Sequence, residues 1–412
     1  MCRSIAALIL ALTLLCLPVC GMCTEIDLSP TAVPEPVNEI TLTPISDAPL
    51  MEGLPFEINC ASVLLVEEDS GQIIFEMNAD SPRPVASVTK VMTILLALEM
   101  IDQGRISLDD VVTVSADAAG MGGSQVLLDI SEQQTVGILL KSMIVGSAND
   151  AAVAMAEVMY GSEEMCVEQM NQRAAELGMT NTHFVNCTGL PAEGQHTTAR
   201  DVAIMSRQMF SHPLYFEYSG IWLDNVDHGD GRITQLANTN KLLRLYDGCD
   251  GGKTGSTNEA GYCISATAKR GDMRLIAVVL GAGSGAERFD IAQEMLDYGF
   301  ANYRRYPVAE KGTRIRGELP VTGGAQEGVS LMLNGELTLL VLKGSEQGIQ
   351  LSPNLPESIA APVQAGDQVG TVAVVVEGRT VAEIPVVTCD SVDSKGLNRG
   401  FQHFWQNWML FE

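Results

Sequence analysis

Residues 248–263 read GCDGGKTGSTNEAGYC, and the fold turns on whether the Gly-Gly-Lys-Thr at their centre is a phosphate cradle or part of a strand. A nucleotide loop needs Gly, four residues, then Gly-Lys-Ser/Thr, so that successive backbone N–H groups curl around phosphates and a helix starts directly afterwards. Gly248 and Gly252 enclose only three residues. Gly261 is followed by YCISATAKR, which alternates with the period of a strand. Lys253 therefore reads as a residue entering a strand at a sheet edge, with a solvent-exposed lysine in a Gly-rich turn as the plain alternative. The rest of the chain has to decide between them.

The chain has 412 residues, 46% of them hydrophobic and 18% charged, enough for a large buried core and two domains. Its 25 basic against 51 acidic residues give a net charge of −26, which argues against a nucleic-acid partner. Residues 1–23, MCRSIAALILALTLLCLPVCGMC, hold one Arg followed by an apolar run from Ile5 to about Val19, too short and one-sided for a typical spanning helix. They read as an export signal, so the mature protein is expected outside the cytoplasm, at the outer face of the cytoplasmic membrane or in the cell wall. Cys20 after Leu-Pro-Val is a poor version of a lipoprotein cleavage box.

Four of the ten Cys (Cys2, Cys16, Cys20, Cys23) lie in this leader. The other six are scattered without CxxC spacing and the five His are equally dispersed, so no metal site is expected. Cys249 with Cys263, or Cys166 with Cys187, are the candidate pairs for an extracellular disulfide, and the sequence does not choose.

Residues 24–54, rich in Pro, Thr and acidic side chains, read as an extended linker. A mixed α+β domain is expected over 55–305. It opens with a hairpin in SVLLVEEDSGQIIFEMN and a helix from about Ser87, with Pro84 just ahead of it. Mainly helical patterns follow from 131 to 212, LLRLYDGCD suggests a short strand, and YCISATAKR and MRLIAVVLGAG read as two further strands before the helix ERFDIAQEMLDYGF. Strands at both ends of a helical middle imply an antiparallel sheet closed by the two ends of the domain. Residues 306–392 break into short alternating runs and read as a small all-β domain. Residues 393–412 place Leu397, Phe401, Phe404, Trp405, Trp408 and Phe411 on one helical face, the pattern of an amphipathic helix lying on a membrane surface. A terminal helix packed on the β domain is the alternative.

Three short motifs carry chemistry. Ser87-Val88-Thr89-Lys90 puts a hydroxyl and an amine three residues apart on one helix face, where a neutral lysine can act as base for a serine nucleophile. Ser147-Ala148-Asn149 lies at a break between two helices, where a hydroxyl can relay a proton and an amide can hold a carbonyl; a plain helix cap is the competing reading. Lys253-Thr254-Gly255 on an edge strand can hold a carboxylate beside an extended peptide, and the Lys253 charge would help keep Lys90 deprotonated.

With these three motifs in this order, the chain resembles the penicillin-recognising serine acyl enzymes, and most closely the low-molecular-weight D-alanyl-D-alanine carboxypeptidases. PVASVTKVMT, GGSQVLL, GSANDAAVAMAE, TGLPAEGQHTTARD, DGGKTGSTNEAGYC and RLIAVVLGA carry the resemblance over about residues 55–305. It implies a penicillin-binding, β-lactamase-like transpeptidase domain with an antiparallel sheet and a helical subdomain. It further implies that Ser87 attacks the peptide bond between two D-alanines, Lys90 is the base, Ser147 relays protons and Asn149 positions the acyl chain. Lys253 and Thr254 would hold the terminal carboxylate with help from Arg288, Gly255 would leave room, and the backbone N–H groups of Ser87 and Ser256 would form the oxyanion hole. Peptidoglycan peptides and β-lactam antibiotics are the implied partners; no cofactor, nucleotide or nucleic acid is. His196 reads as structural.

Two alternatives share the motifs. A serine β-lactamase commonly uses a glutamate in an ExxLN stretch to activate its deacylating water, and Glu163, Glu164 and Glu168 have no such surroundings. A catalytically silent penicillin-binding envelope protein would need none of the chemical residues, and all are present.

Overall fold

The computed structural model describes residues 44–395 apart from 47, 48, 52 and 377. The export signal, residues 24–43 of the expected linker and residues 396–412 of the expected amphipathic helix lie outside the described residues.

β1 (Ser62–Glu67) and β2 (Ile73–Met77) form the expected hairpin. Its turn is tied by Glu67, whose Oε2 accepts from the Ser70 backbone and hydroxyl at 2.7 and 2.6 Å. A 3₁₀ turn, Ala86–Thr89, then runs into α1 (Lys90–Asp102). β3 (Val111–Thr113), α2 (Ala116–Ala119) and β4 (Gln133–Thr135) precede the helices α3 (Val136–Val145), α4 (Asn149–Tyr160), α5 (Glu163–Glu176), α6 (Ala199–Phe210) and α7 (Pro213–Ser219). A second small hairpin, β5 (Leu223–Asp227) with β6 (Ile233–Ala237), was passed over by the sequence reading, although HGDG marks its turn. The stretch LLRLYDGCD holds a helical turn, α8 (Leu242–Leu245), rather than the expected strand. Three long strands follow, β7 (Cys249–Thr257), β8 (Gly261–Arg270) and β9 (Met273–Ala282), and then α9 (Gly285–Asn302).

The main sheet has the order β2-β1-β9-β8-β7 and is antiparallel throughout. Chain-distant β1 and β9 thus lie side by side, and β7 is left at one edge. Every residue of β1 is buried because the sheet is covered on both faces. Leu64 and Val66 point into a core shared with α1 and α3–α6, whereas Val63 and Leu65 pack against α9. α1 is the axis of the helical layer, with ten of its 13 residues buried, so it is apolar nearly all round. At the opposite edge, part of the stretch read as linker docks on β2: the Leu50 and Met51 N–H groups donate to the Ile73 and Ile74 carbonyls at 2.9 and 3.2 Å. That contact occupies peptide groups that an edge strand would otherwise expose.

α9 leads directly into β10 (Tyr303–Ala309), followed by β11 (Arg314–Thr322), β12 (Gly328–Leu333), β13 (Leu337–Leu342), β14 (Ile349–Asn354), β15 (Ile359–Ala360), β16 (Gln368–Val376) and β17 (Arg379–Thr388). β10 pairs with β13, and the others form a six-stranded sheet in the order β14-β16-β17-β12-β11-β15 around Val329, Leu331, Val374, Ile384 and Val386. The expected change to short alternating strands is therefore present, with its own core.

Candidate active site

The N-terminus of α1 positions the first two residues. Ser87 sits in the 3₁₀ turn and Lys90 opens the α-helix, and in a turn of three residues the side chains at i and i+3 eclipse. Lys90 Nζ lies 3.0 Å from Ser87 Oγ. The same amine donates to Asn149 Oδ1 at 2.5 Å and to the Thr188 carbonyl at 2.7 Å, so three acceptors aim it. Lys90 is 0% exposed. Burial pulls its pKa down to about 7, opposed by the Cys187 thiol and the Asp150 carboxylate. Burial thus favours the neutral amine, the form in which a lysine can serve as base for a serine hydroxyl.

Ser147 and Asn149 flank the short break between α3 and α4. Ser147 adopts a left-handed backbone (φ 59°), as does Ala86 beside the nucleophile (φ 50°). Such conformations cost a non-glycine residue roughly 1–3 kcal/mol and persist where the surroundings hold them. Ser147 does not cap the helix: the N-cap of α4 is Ala148, with no side-chain bond. Its hydroxyl instead accepts from Lys253 Nζ at 2.7 Å. The Asn149 amide is fully engaged, its Oδ1 on Lys90 and its Nδ2 donating to the Gly122 carbonyl at 2.6 Å.

β7 supplies the opposite wall. Lys253 lies mid-strand, paired with Ser265, and is 2% exposed, which removes the solvent-exposed turn from consideration. Its amine also reaches the Thr254 carbonyl at 2.9 Å. Burial first, then repulsion from Lys90 and Arg288, holds its pKa well below the ordinary lysine range. Burial is likewise the leading cause at Lys90, so desolvation matters more to that base than the field of Lys253. The Thr254 hydroxyl donates to Thr239 Oγ1 at 2.7 Å. Gly255 is where strand and nucleophile turn meet: a Cβ there would stand 2.6 Å from the Val85 carbonyl and 2.8 Å from the Ser87 nitrogen. Ser256, the next residue, is exposed at the strand edge.

Arg288, in the first turn of α9, is 9% exposed and donates through Nη1 to the carbonyls of Gly255 and Cys263 at 3.0 and 3.2 Å. Its guanidinium also stands 5.6 Å from the centre of the Tyr262 ring. The nine candidate residues therefore come from α1 with its 3₁₀ turn, the α3–α4 break, β7 and α9.

Several contributors lie within or beside the quoted motifs without a role assigned from the sequence. Thr188 presents its carbonyl to Lys90 because the Asn186 side chain organises the turn, accepting from the N–H groups of Thr188 and Gly189 at 3.2 and 2.7 Å. A Cβ on Gly189 would stand 1.9 Å from the Ala86 carbonyl, so this turn touches the loop that bears Ser87. Asp150, buried behind Asn149, accepts the Val126 and Leu128 N–H groups at 3.1 Å each and fixes the loop leading to Gly122. His196 forms a backbone bridge with His183, and its Nδ1 sits 2.7 Å from the Gly194 carbonyl. Glu163 is occupied by the Cys187 N–H at 3.0 Å. Neither candidate disulfide is formed, because Cys60, Cys166, Cys187, Cys249, Cys263 and Cys389 are all free. Among the described residues no His, Cys, Asp and Glu group is arranged to hold a metal ion.

Residues 48–284 match the Peptidase S11 family, described as D-alanyl-D-alanine carboxypeptidase. The chain belongs to this family. Residues 303–394 match the C-terminal domain of penicillin-binding protein 5. A D-alanyl-D-alanine carboxypeptidase of Bacillus subtilis, DacF, is 37% identical over 352 residues, spanning 85% of this chain and 90% of that protein. Penicillin-binding protein 5 of Haemophilus influenzae superposes with a TM-score of 0.72 at 30% identity, over 83% of this chain and all of the other. Penicillin-binding protein D2 of Listeria monocytogenes, solved in a cefotaxime-bound form, gives a TM-score of 0.55 at 32% identity over 60% of this chain and all of the other. The fold is thus the penicillin-binding transpeptidase fold followed by an all-β domain.

Proposed function

We propose that this chain removes the terminal D-alanine from peptidoglycan stem peptides through an acyl-enzyme on Ser87. The single observation that carries this reading is the 3.0 Å approach of the fully buried Lys90 to Ser87, in surroundings whose desolvation favours the neutral amine. Neutral Lys90 takes the hydroxyl proton as Ser87 Oγ bonds to the carbonyl carbon between the two D-alanines. The oxyanion is met by the backbone N–H groups of Ser87 and Ser256. The C–N bond then breaks, and the leaving amine takes a proton relayed through Ser147. Lys253 and Thr254 hold the substrate carboxylate, and Arg288, by gripping the Gly255 carbonyl, positions that strand. Asn149 aims Lys90 and lines the path of the acyl chain. Water, deprotonated along the same route, releases the shortened peptide.

β-Lactams are the second ligand class: their strained amide occupies the D-Ala-D-Ala position and acylates the same Ser87. The chain works outside the cytoplasm, with residues 1–23 as export signal and residues 396–412 as the membrane-surface segment; Asp393–Lys395, expected to open that helix, instead pair with the backbone of Gly323–Ala325. No helix among the described residues is long and apolar enough to cross a membrane.

The test is release of D-alanine from a D-Ala-D-Ala peptide by the purified chain, with and without penicillin, and labelling by penicillin at Ser87. Ser87→Ala that is labelled and active like the unaltered chain would overturn the reading. Rapid turnover of penicillin without D-alanine release would point to a β-lactamase instead.

A further inference from the structure

A second recess, which none of the candidate site residues lines, lies between the β1–β2 turn and the β10–β13 ribbon. It is a cleft of about 470 Å³ lined by Glu67, Asp69, Arg305, Glu310 and Glu336, with Leu337 and Leu340 on its apolar wall. Four carboxylates face one guanidinium, which leaves three formal negative charges. Glu310 and Glu336 are exposed at the mouth.

Glu67 differs from the rest. It is 1% exposed, and while its Oε2 is satisfied by Ser70, its Oε1 has no hydrogen-bond donor among the described residues. Arg305 does not supply one: its Nη1 donates to the Asp272 carbonyl at 3.2 Å and stands 3.9 Å from Glu67 Oε1, while its Nη2 pairs with Asp69. A buried carboxylate oxygen left without a donor is costly, and a ligand that brings an N–H donor and a positive charge would relieve it. The described acids form no group arranged to hold a metal ion, and an organic ammonium would bring both the N–H donor and the charge. An apolar wall between carboxylates suits methylene groups between ammonium heads.

We propose that this cleft binds a linear aliphatic chain carrying two or more ammonium groups. One ammonium donates to Glu67 Oε1 at the floor, and another meets Glu310 and Glu336 at the mouth. Such a chain can be a free polyamine or the amine-bearing side chains of a short peptide.

The test is calorimetric titration of the full chain with spermidine and, separately, with the dipeptide lysyl-lysine, near 0.15 M salt. Saturable one-to-one binding is expected, weakened about tenfold by Glu67→Gln and by Glu336→Gln, the scale of one charge-assisted hydrogen bond. D-alanine release should be unchanged in both variants. Tighter binding of spermidine identifies a free polyamine as the ligand, and tighter binding of the dipeptide identifies a peptide amine. Absence of saturable binding by both probes, equal binding by the variants, or equal displacement of spermidine by the same concentration of Mg²⁺ would overturn the proposal. If Glu67→Gln fails to fold, Glu310→Gln joins Glu336→Gln in carrying the test, because both positions are exposed.

Discussion

Lys253 and Ser147, 106 residues apart in the chain, meet at 2.7 Å, the lysine amine donating to the serine hydroxyl. The contact joins the edge strand to the helical layer across the cleft. Under the proposed mechanism it joins the lysine assigned to the substrate carboxylate to the serine assigned to the proton relay, so recognition and proton transfer would share one hydrogen bond.

Lys253→Ala should therefore weaken both substrate capture and acylation. A loss of roughly 10²–10⁴-fold in kcat/KM is expected, the range of a lost proton-transfer or oriented charge contact. Steady-state kinetics with a D-Ala-D-Ala peptide and penicillin acylation rates measure the two effects separately. Added nucleotide should change neither.

Removing the nucleophile or its base should be far more severe. Ser87→Ala and Lys90→Ala should each lower D-alanine release by about 10⁴-fold or more, because a serine without its base, or a base without its serine, acts as a broken unit. The double variant should be little worse than either single one, and an additive double loss would show that the two do not act together.

The pH dependence follows from Lys90. Its pKa in the folded chain, about 7, is depressed from an ordinary value of 10.5. Acylation requires the neutral form, so its rate should rise with pH and level off above about 7, and stopped-flow acylation by penicillin between pH 5.5 and 9 would read the midpoint. The linked stability has the same sign. Between about 7 and 10.5 the unfolded chain binds the extra proton, so this group's contribution is fully present above 10.5 and is lost as pH falls through 7.

Gly255→Ala tests the contact between β7 and the nucleophile turn. The new Cβ would lie 2.6 Å from the Val85 carbonyl and 2.8 Å from the Ser87 nitrogen, both backbone atoms with little room to move. Overpacking of this kind costs about 1–3 kcal/mol. A lowered melting temperature together with slower acylation is expected; slower acylation should accompany even a mild shift in stability, because the strand that moves is the one bearing Lys253.

The three buried thiols should be silent in the native state. Cys166, Cys187 and Cys263 are buried, and burial pushes the Cys166 thiol up to about 12. A thiol reagent at neutral pH should label these three only after unfolding, and a reductant should leave the melting temperature unchanged.

The sequence by itself determined the class of fold and the identity of the chemical groups. Period-two alternation after Gly261 and in MRLIAVVLGAG marks β8 and β9, and the three motifs in order select the family, because both signals are local and survive in a linear string. Only the tertiary structure decided where those groups stand and what surrounds them. Strand order places β7 at an edge, and the Thr188 carbonyl and Asp150 carboxylate reach Lys90 or its supporting loop, contacts that the motif spacing does not specify. Burial, a property of the whole packed chain, is what lowers the pKa of Lys90, and no residue count or spacing encodes it. The stretch at 248–263 shows the division: one missing residue removes the phosphate loop, but the contact of Lys253 with Ser147 exists only once two distant elements have packed.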